Sequence, residues 1–126
     1  MNSPLYFEVM DQYATYQPVG EVSFDEALRL TTEAIIYARE NSIRRLLVDT
    51  TQWTGFGPPS TTERFKMGET LAREGQSKVI LALVARPEMI DEDRFGMVVA
   101  RNRWLHCDVF ESKAEAIAWL TNPVAI

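Results

Sequence analysis

The sequence predicts an α/β fold: a mixed, mostly parallel five-stranded sheet with about four helices, in the order β-β-α-β-α-β-α-β-α, forming a single domain over residues 1–126. Apolar runs that suit strands alternate with amphipathic segments that suit helices, and this alternation is typical of a parallel sheet covered by helices. Three of the predicted helices also begin with Ser-x-x-Glu, the spacing of a capping box.

The N-terminal part of the chain predicts a hairpin followed by a long helix. Two short β-rich runs, Leu5 to Met10 and Tyr13 to Gln17, are separated by a turn signal and predict an antiparallel pair. Ser23 and Glu26 then have the capping-box spacing, and apolar residues recur at helical intervals behind them. We therefore expect a helix over residues 22–41.

The middle of the chain predicts a strand, a loop and a second helix. The run from Ile43 to Asp49 is apolar on both faces, as expected of a central parallel strand. After a Gly/Pro loop, Ser60 and Glu63 repeat the capping-box spacing and predict a helix that ends before Gly75. Within that helix, Gly68 predicts a close approach to the sheet.

The C-terminal part completes the alternation. Lys78 to Ala85 is the strongest strand signal, and Pro87 suits the first turn of a third helix that we expect to continue to about Arg103, with Gly96 as a candidate hinge. Leu105 to Phe110 predicts the last strand. A third Ser-x-x-Glu, from position 112 to position 115, then predicts the last helix.

Composition and charge exclude several classes of protein. The chain has 13 basic and 18 acidic residues and a net charge of -5, which disfavours nonspecific binding to nucleic acid. Its one cysteine, Cys107, cannot form an intramolecular disulfide, and the N-terminus lacks the features of a signal peptide. The longest apolar run, residues 79–85, is far too short for a membrane span. We therefore expect a cytoplasmic protein.

The chain resembles the SpoIIAA-like branch of the STAS domains, the fold of bacterial anti-sigma-factor antagonists. The resemblance extends over the element order of essentially the whole chain, and it is carried locally by Val48-Asp49-Thr50-Thr51, Phe110-Glu111, Ala116 and Trp119-Leu120. Because this branch is related in fold to lipid-carrying domains, the resemblance implies binding of an apolar ligand or peripheral contact with a membrane surface.

The resemblance also implies a phosphorylation site near the start of the second helix. Antagonists carry a phosphorylatable Ser in an Asp-Ser-Ser-Gly-like turn, and here the corresponding residues are Ser60 and Thr61, without the Asp and the Gly. Thr51 is a further candidate. A helix N-terminus also favours an anion, because its backbone N–H groups are free. The alternative is that Ser60 only caps the helix.

The loop between the third predicted strand and the second predicted helix contains two aromatic residues, Trp53 and Phe56, among glycines and prolines. Aromatic side chains on such a loop either cover an apolar pocket or enter a membrane interface, or they pack back on the helices as a small satellite core. Asp49, at the end of the preceding strand, either orients a ligand or accepts hydrogen bonds from the following loop in an Asx-type turn.

The apolar face of the third predicted helix is wider than packing against one core requires. Met97 and Val98 are candidate ligand-binding residues there, together with Phe65 on the second helix. Helix-to-sheet packing explains most of this surface, and the remainder fits a ligand wall, membrane docking or the contact of a homodimer.

Catalysis and metal binding have no positive support in the sequence. His106 and Cys107 are neighbours on a predicted strand, so their side chains point to opposite faces and cannot form a dyad. One His and one Cys do not make a zinc site, and no Gly-rich phosphate loop or nucleophile elbow occurs. We therefore expect no metal and no cofactor.

Together these features predict a non-catalytic binding or regulatory module. The first hypothesis is that it binds an apolar small molecule, a lipid or a membrane surface. The pocket would be bordered by the loop from Thr50 to Pro59, by the start of the second helix and by the third helix. The alternative is a protein-interaction switch that is controlled by phosphorylation near Ser60.

Overall fold

A computed structural model describes residues 3–122 of the chain; the predicted domain of residues 1–126 extends beyond them at both ends. Within the described residues the fold is α/β, with four α-helices and a five-stranded mixed sheet, as the sequence predicts. The strands are β1 (Phe7–Val9), β2 (Ala14–Tyr16), β3 (Gly20–Glu21), β4 (Arg45–Asp49), β5 (Trp53–Thr54), β6 (Ile80–Val84) and β7 (His106–Phe110). The helices are α1 (Phe24–Glu40), α2 (Thr61–Gly75), α3 (Phe95–Arg101) and α4 (Lys113–Leu120).

The main sheet has the order β1-β2-β4-β6-β7. Only β1 is antiparallel to its neighbour, which confirms the predicted hairpin, and β2, β4, β6 and β7 are mutually parallel. The carboxyl ends of the parallel strands therefore share one edge of the sheet, which is where ligands gather in α/β folds.

The sheet separates two apolar layers, which explains why its central strands are apolar on both faces. Leu46 and Val48 of β4 point into the larger core with α1, α2 and α3, whereas Leu47 between them points into a smaller core with α4. All three side chains are fully buried. A strand covered on both sides has no solvated face and needs no polar alternation.

The helix starts follow the sequence closely. Ser60 and Glu63 form a complete capping box at α2: the Ser60 hydroxyl accepts from the Glu63 backbone N–H, and the Glu63 side chain accepts from that of Ser60. Ser23 and Ser112 accept the equivalent backbone hydrogen bond at α1 and α4. These bonds satisfy donors that a helix leaves free in its first turn.

The predicted loop after β4 contains a strand that the sequence pattern does not reveal. Residues of β5 pair in parallel with β3 in a separate two-stranded sheet. Backbone hydrogen bonds from Gly20 to Gln52 and from Val22 to Thr54 tie the loop to the start of α1. The loop is therefore held as a wall of the core.

The predicted bounds of the third helix are wrong. A single 3-10 turn at Pro87–Met89 is followed by a bend, and α3 begins only at Phe95. The carbonyl of Met89 accepts from the Arg64 guanidinium, which ties the 3-10 turn to the start of α2. The Asp91 carboxylate accepts from the Phe95 backbone N–H and opens the new helix.

Two glycines let α2 and α3 cross in close contact. A Cβ atom added at Gly68 would collide with the carbonyl oxygen of Gly96 and lie 2.9 Å from the Val99 Cβ. A Cβ at Gly96 would meet the Met67 side chain and lie 3.2 Å from the Arg64 carbonyl oxygen. The predicted close approach at Gly68 thus exists, but it is made to α3 and not to the sheet.

We expect the substitution Gly68→Ala to lower the free energy of unfolding by about 1–2 kcal/mol. Alanine gains about 1 kcal/mol in helix propensity, but overpacking against a backbone carbonyl costs typically 1–3 kcal/mol or more. Urea denaturation measures the difference. The control is Gly57→Ala, because a Cβ there meets nothing within 4 Å; equal stability of the two variants would contradict the crossing.

Candidate functional site

A cavity of about 110 Å³ lies between the helices and the carboxyl edge of the parallel strands, and it is partly open to solvent. Residues that follow β4 and β6 contribute to it, as do faces of α1, α2 and α3. Its lining consists of Phe24, Ala27, Leu28, Thr31, Thr50, Trp53, Phe56, Pro59, Arg64, Met67, Leu71, Leu83, Ala85, Arg86, Met89, Ile90, Asp91, Arg94, Gly96, Met97 and Val109.

The buried part of this lining, which we call the floor, is almost entirely apolar. It comprises Ala27, Leu28, Thr31, Trp53, Leu71, Leu83, Gly96, Met97 and Val109. The Thr31 hydroxyl donates to the Ala27 carbonyl at 2.9 Å and is therefore already satisfied. The floor offers a guest dispersion contacts and little that is polar.

Aromatic side chains from the β4–α2 loop form one wall. Trp53 is only 2% exposed, and its indole packs edge-on against the Tyr16 ring at 6.3 Å. Phe56 is half-buried and packs edge-on against Phe24, with ring centroids 6.2 Å apart. Of the alternatives for this loop, the structure places both rings at the cavity, with Trp53 in the main core.

The solvent-accessible part of the lining carries all its charged residues, and we call the set of Arg64, Arg86, Asp91 and Arg94 the charged mouth. Arg64 is the most buried of the three arginines, with a side chain 12% exposed. Its Nε donates to the Pro59 carbonyl at 3.0 Å, and its Nη1 donates to the Met89 carbonyl and to Asp91 Oδ1 at 3.0 and 2.9 Å.

The other two arginines are held by one lining residue and by two carboxylates outside the lining. Arg86 donates through Nη1 to the Trp53 carbonyl at 3.1 Å and through Nε to Glu88 at 3.0 Å. Arg94 donates through Nη1 to Asp108 Oδ1 at 3.2 Å. Arg86 thereby holds the aromatic wall in place.

The structure brings three of the predicted ligand-binding residues together at the cavity: Trp53, Phe56 and Met97. Asp49 does not reach it. Instead, Asp49 Oδ1 accepts from the backbone N–H and the hydroxyl of Thr51, at 3.0 and 2.6 Å, in the Asx-type turn that was one of its two interpretations.

Phe65 and Val98 also lie outside the cavity lining, on the accessible side of α2 and α3. They are 40% and 39% exposed, and the Phe65 ring lies 5.2 Å below the Arg103 guanidinium. Ser60 and Thr61 are exposed at the start of α2 and do not line the cavity either. Phosphorylation near Ser60 and a homodimer through α3 stay predictions.

Sequence reasoning missed the charged mouth. Arg64 comes from the start of α2, whereas Arg86, Asp91 and Arg94 come from the segment between β6 and α3; nothing in their spacing relates one segment to the other. The hydrogen bond from the Phe95 backbone N–H to Asp91 was not anticipated, because a continuous helix was expected from Pro87. The sequence did not single out Met67, whose side chain lies opposite Gly96.

His106 and Cys107 occupy opposite faces of β7, as predicted. His106 is exposed and packs edge-on on Trp119 at 5.3 Å, whereas Cys107 is 1% exposed. Burial raises the pKa of the Cys107 thiol to about 12, so it is not a nucleophile at neutral pH. Among residues 3–122 there is no group of three His, Cys, Asp or Glu side chains that could hold a metal ion.

Comparisons with protein-family models, with curated proteins and with solved structures find no match to this chain. Among the described helices, none has both the length and the apolar character that crossing a bilayer requires.

We expect the substitution Ser60→Ala to lower the free energy of unfolding by about 1 kcal/mol, because the Glu63 backbone N–H loses its acceptor. Thr62→Ala is the control, since Thr62 is exposed and two positions further along; its effect should stay within about 0.5 kcal/mol. Urea denaturation of both variants measures the difference, and an unchanged Ser60→Ala protein would contradict the cap.

Stability should depend on pH through Cys107. Its native pKa of about 12 lies above the ordinary value of 9.0, so the folded state holds the thiol proton more tightly than the unfolded state. This contribution is complete below pH 9 and is lost as the pH rises towards 12.

Between about pH 8 and about pH 10.5 the wild type should therefore lose about 2 kcal/mol more stability than Cys107→Ala. Urea denaturation at both pH values gives the two differences, and the other titrating groups are common to both proteins. Equal losses would show that the thiol ionises without penalty in the folded state.

Proposed function

We propose that this domain reversibly binds a small apolar molecule in the cavity at the carboxyl edge of its parallel strands. The observation that carries the proposal is a cavity of about 110 Å³ whose buried floor is almost entirely apolar. A guest that buries apolar surface on this floor gains about 25 cal/mol per Å² of surface removed from water.

The size of the cavity limits the guest. An engineered cavity of roughly 150 Å³ is enough to hold benzene, and the cavity here is about 110 Å³. The buried part of a ligand is therefore no larger than an aromatic ring or a short alkyl chain. The rest of a longer ligand would extend through the charged mouth.

Among the predicted occupants, a small molecule is better supported than a membrane surface. Insertion into a membrane requires exposed apolar side chains on the loop. Trp53 is 2% exposed, and its loop is fixed by pairing between β5 and β3 and by the Arg86 hydrogen bond. The two aromatic side chains of the loop therefore line the cavity and are not free to insert into a membrane.

The resemblance to the SpoIIAA-like STAS domains is part of this proposal. Its support is the element order and a sheet in which only the first strand is antiparallel. The antagonist-type switch has less support, because the Ser60 hydroxyl already serves as a cap and Glu63 lies against it. A phosphoryl group there would gain from the helix N-terminus but would face that carboxylate.

We expect toluene to bind wild-type protein and to raise its thermal midpoint, since a ligand of the native state stabilises it by mass action. The substitution Ala27→Leu, which adds three carbon atoms at the floor, should abolish the shift. The matched control is Ala118→Leu, because Ala118 is exposed on α4, across the sheet from the cavity.

Titration with toluene, followed by amide chemical shifts in ¹H–¹⁵N spectra, locates the binding. Shifts should concentrate in α1, α2 and the β4–α2 loop in the wild type and in Ala118→Leu. The absence of any toluene-dependent shift or stabilisation in the folded wild type would overturn the proposed function.

A further inference from the structure

We infer that the ligand of this cavity carries a single anionic group, a carboxylate, on a short apolar or aromatic body. This inference rests on the proposed function and adds the chemical class of the guest. It follows from the distribution of charge around the cavity: the floor is apolar, whereas the charged mouth contains three arginines and one aspartate among the described residues.

The aspartate of the mouth is already paired with Arg64 and leaves the other two arginines without a carboxylate partner in the described lining. Asp91 Oδ1 accepts from Arg64, and Oδ2 accepts from the Phe95 backbone N–H at 2.9 Å. Both oxygens are therefore engaged in holding α2 to the start of α3. No lining carboxylate is left to pair with Arg86 or Arg94 within residues 3–122.

The carboxylates that do pair with these two arginines lie outside the lining. Glu88 accepts from Arg86 and has a side chain 59% exposed, so solvent screens this pair strongly. Asp108 accepts from Arg94, but the same oxygen also accepts from Arg101 at 3.0 Å. One carboxylate is thus shared by two guanidiniums, and positive charge remains at the mouth of an acidic protein.

The arginines also retain donors. Within the described residues, Nη2 of Arg64 and of Arg86 donates to no protein group, and Arg94 uses only Nη1. A guanidinium offers five N–H donors in a planar fork that matches a carboxylate in two parallel hydrogen bonds. These unused donors are available to an anion at the mouth.

Charge and shape together fix the orientation of such a ligand. Its apolar body occupies the floor against Met97 and Trp53, and its carboxylate stays at the mouth, where it keeps part of its hydration. A neutral guest of the same shape leaves the arginines as they are, and a cationic guest is repelled. The cavity therefore selects by charge as well as by size.

The test compares three ligands of nearly equal shape: phenylacetate, the neutral 2-phenylethanol and the cationic 2-phenylethylammonium. Dissociation constants come from amide chemical shifts in ¹H–¹⁵N spectra of the full chain at neutral pH. We expect phenylacetate to bind about tenfold more tightly than 2-phenylethanol, because its carboxylate accepts charge-assisted hydrogen bonds from the arginines, which solvent at the open mouth partly screens. The ammonium compound should bind most weakly.

Arg94→Gln is the variant of choice, because Asp108 keeps its hydrogen bonds from Arg101 and from the Val109 backbone N–H. It should reduce severalfold the ratio of the affinity for phenylacetate to the affinity for 2-phenylethanol. The matched control is Arg103→Gln: Arg103 lies on the Phe65 ring, outside the lining, and its loss should not alter the preference.

A second measurement needs no variant. Raising the salt concentration from about 0.05 M to about 0.5 M should weaken phenylacetate binding and leave 2-phenylethanol unaffected. If toluene and 2-phenylethanol bind but phenylacetate binds no more tightly than 2-phenylethanol, the inference that the ligand carries a carboxylate is overturned. The proposed function then stands. If the ammonium compound binds best, the charge assignment is overturned. If none of these ligands shifts the resonances of the lining, both proposals fall.

Discussion

The Arg64 guanidinium is the interaction on which the rest of the site depends. From the first turn of α2 it holds the end of the β4–α2 loop through Pro59, the 3-10 turn through Met89 and the bend before α3 through Asp91. Its side chain is only 12% exposed, so these bonds form with little competition from water. Two segments, about 25 residues apart in sequence, are thereby set around one opening.

The glycine crossing between α2 and α3 lies beside two methionines of the cavity lining. Because Gly68 and Gly96 have no side chains, the two helix backbones approach closely, and Met67 and Met97 turn towards the cavity. Methionine is flexible and polarizable, so such a wall adapts to guests of somewhat different shape. The close contact therefore serves the cavity as well as the packing of the helices.

The aromatic wall and the charged mouth are coupled through one arginine. Arg86 donates to the Trp53 carbonyl, so one side chain of the charged mouth also fixes the loop that forms the aromatic wall. A ligand that draws on Arg86 would thus act on the loop as well. The apolar part and the cationic part of the site are therefore connected directly by this hydrogen bond.

Local signals were sufficient for some of the site residues and not for others. Asp49, followed by two threonines, allowed the Asx-type turn to be weighed, and the Gly/Pro surroundings singled out Trp53 and Phe56. Phe65 and Val98 were candidate ligand-binding residues on the same grounds as Met97, because an apolar helix face does not reveal which of its residues line a cavity. Their exposed positions became visible only when the partner helix was in place.

The sequence by itself determined the order of the main-sheet strands and the four helices, the helix starts at Ser23, Ser60 and Ser112, and the two-sided burial of the central strands. These features depend on hydrogen bonds and periodicity within a few residues. Only the tertiary structure decided the break before α3, the pairing of β3 with β5 and the gathering of the arginines around the cavity. Each of these features brings together residues far apart in the chain, and a local sequence pattern does not show which distant residues will be in contact.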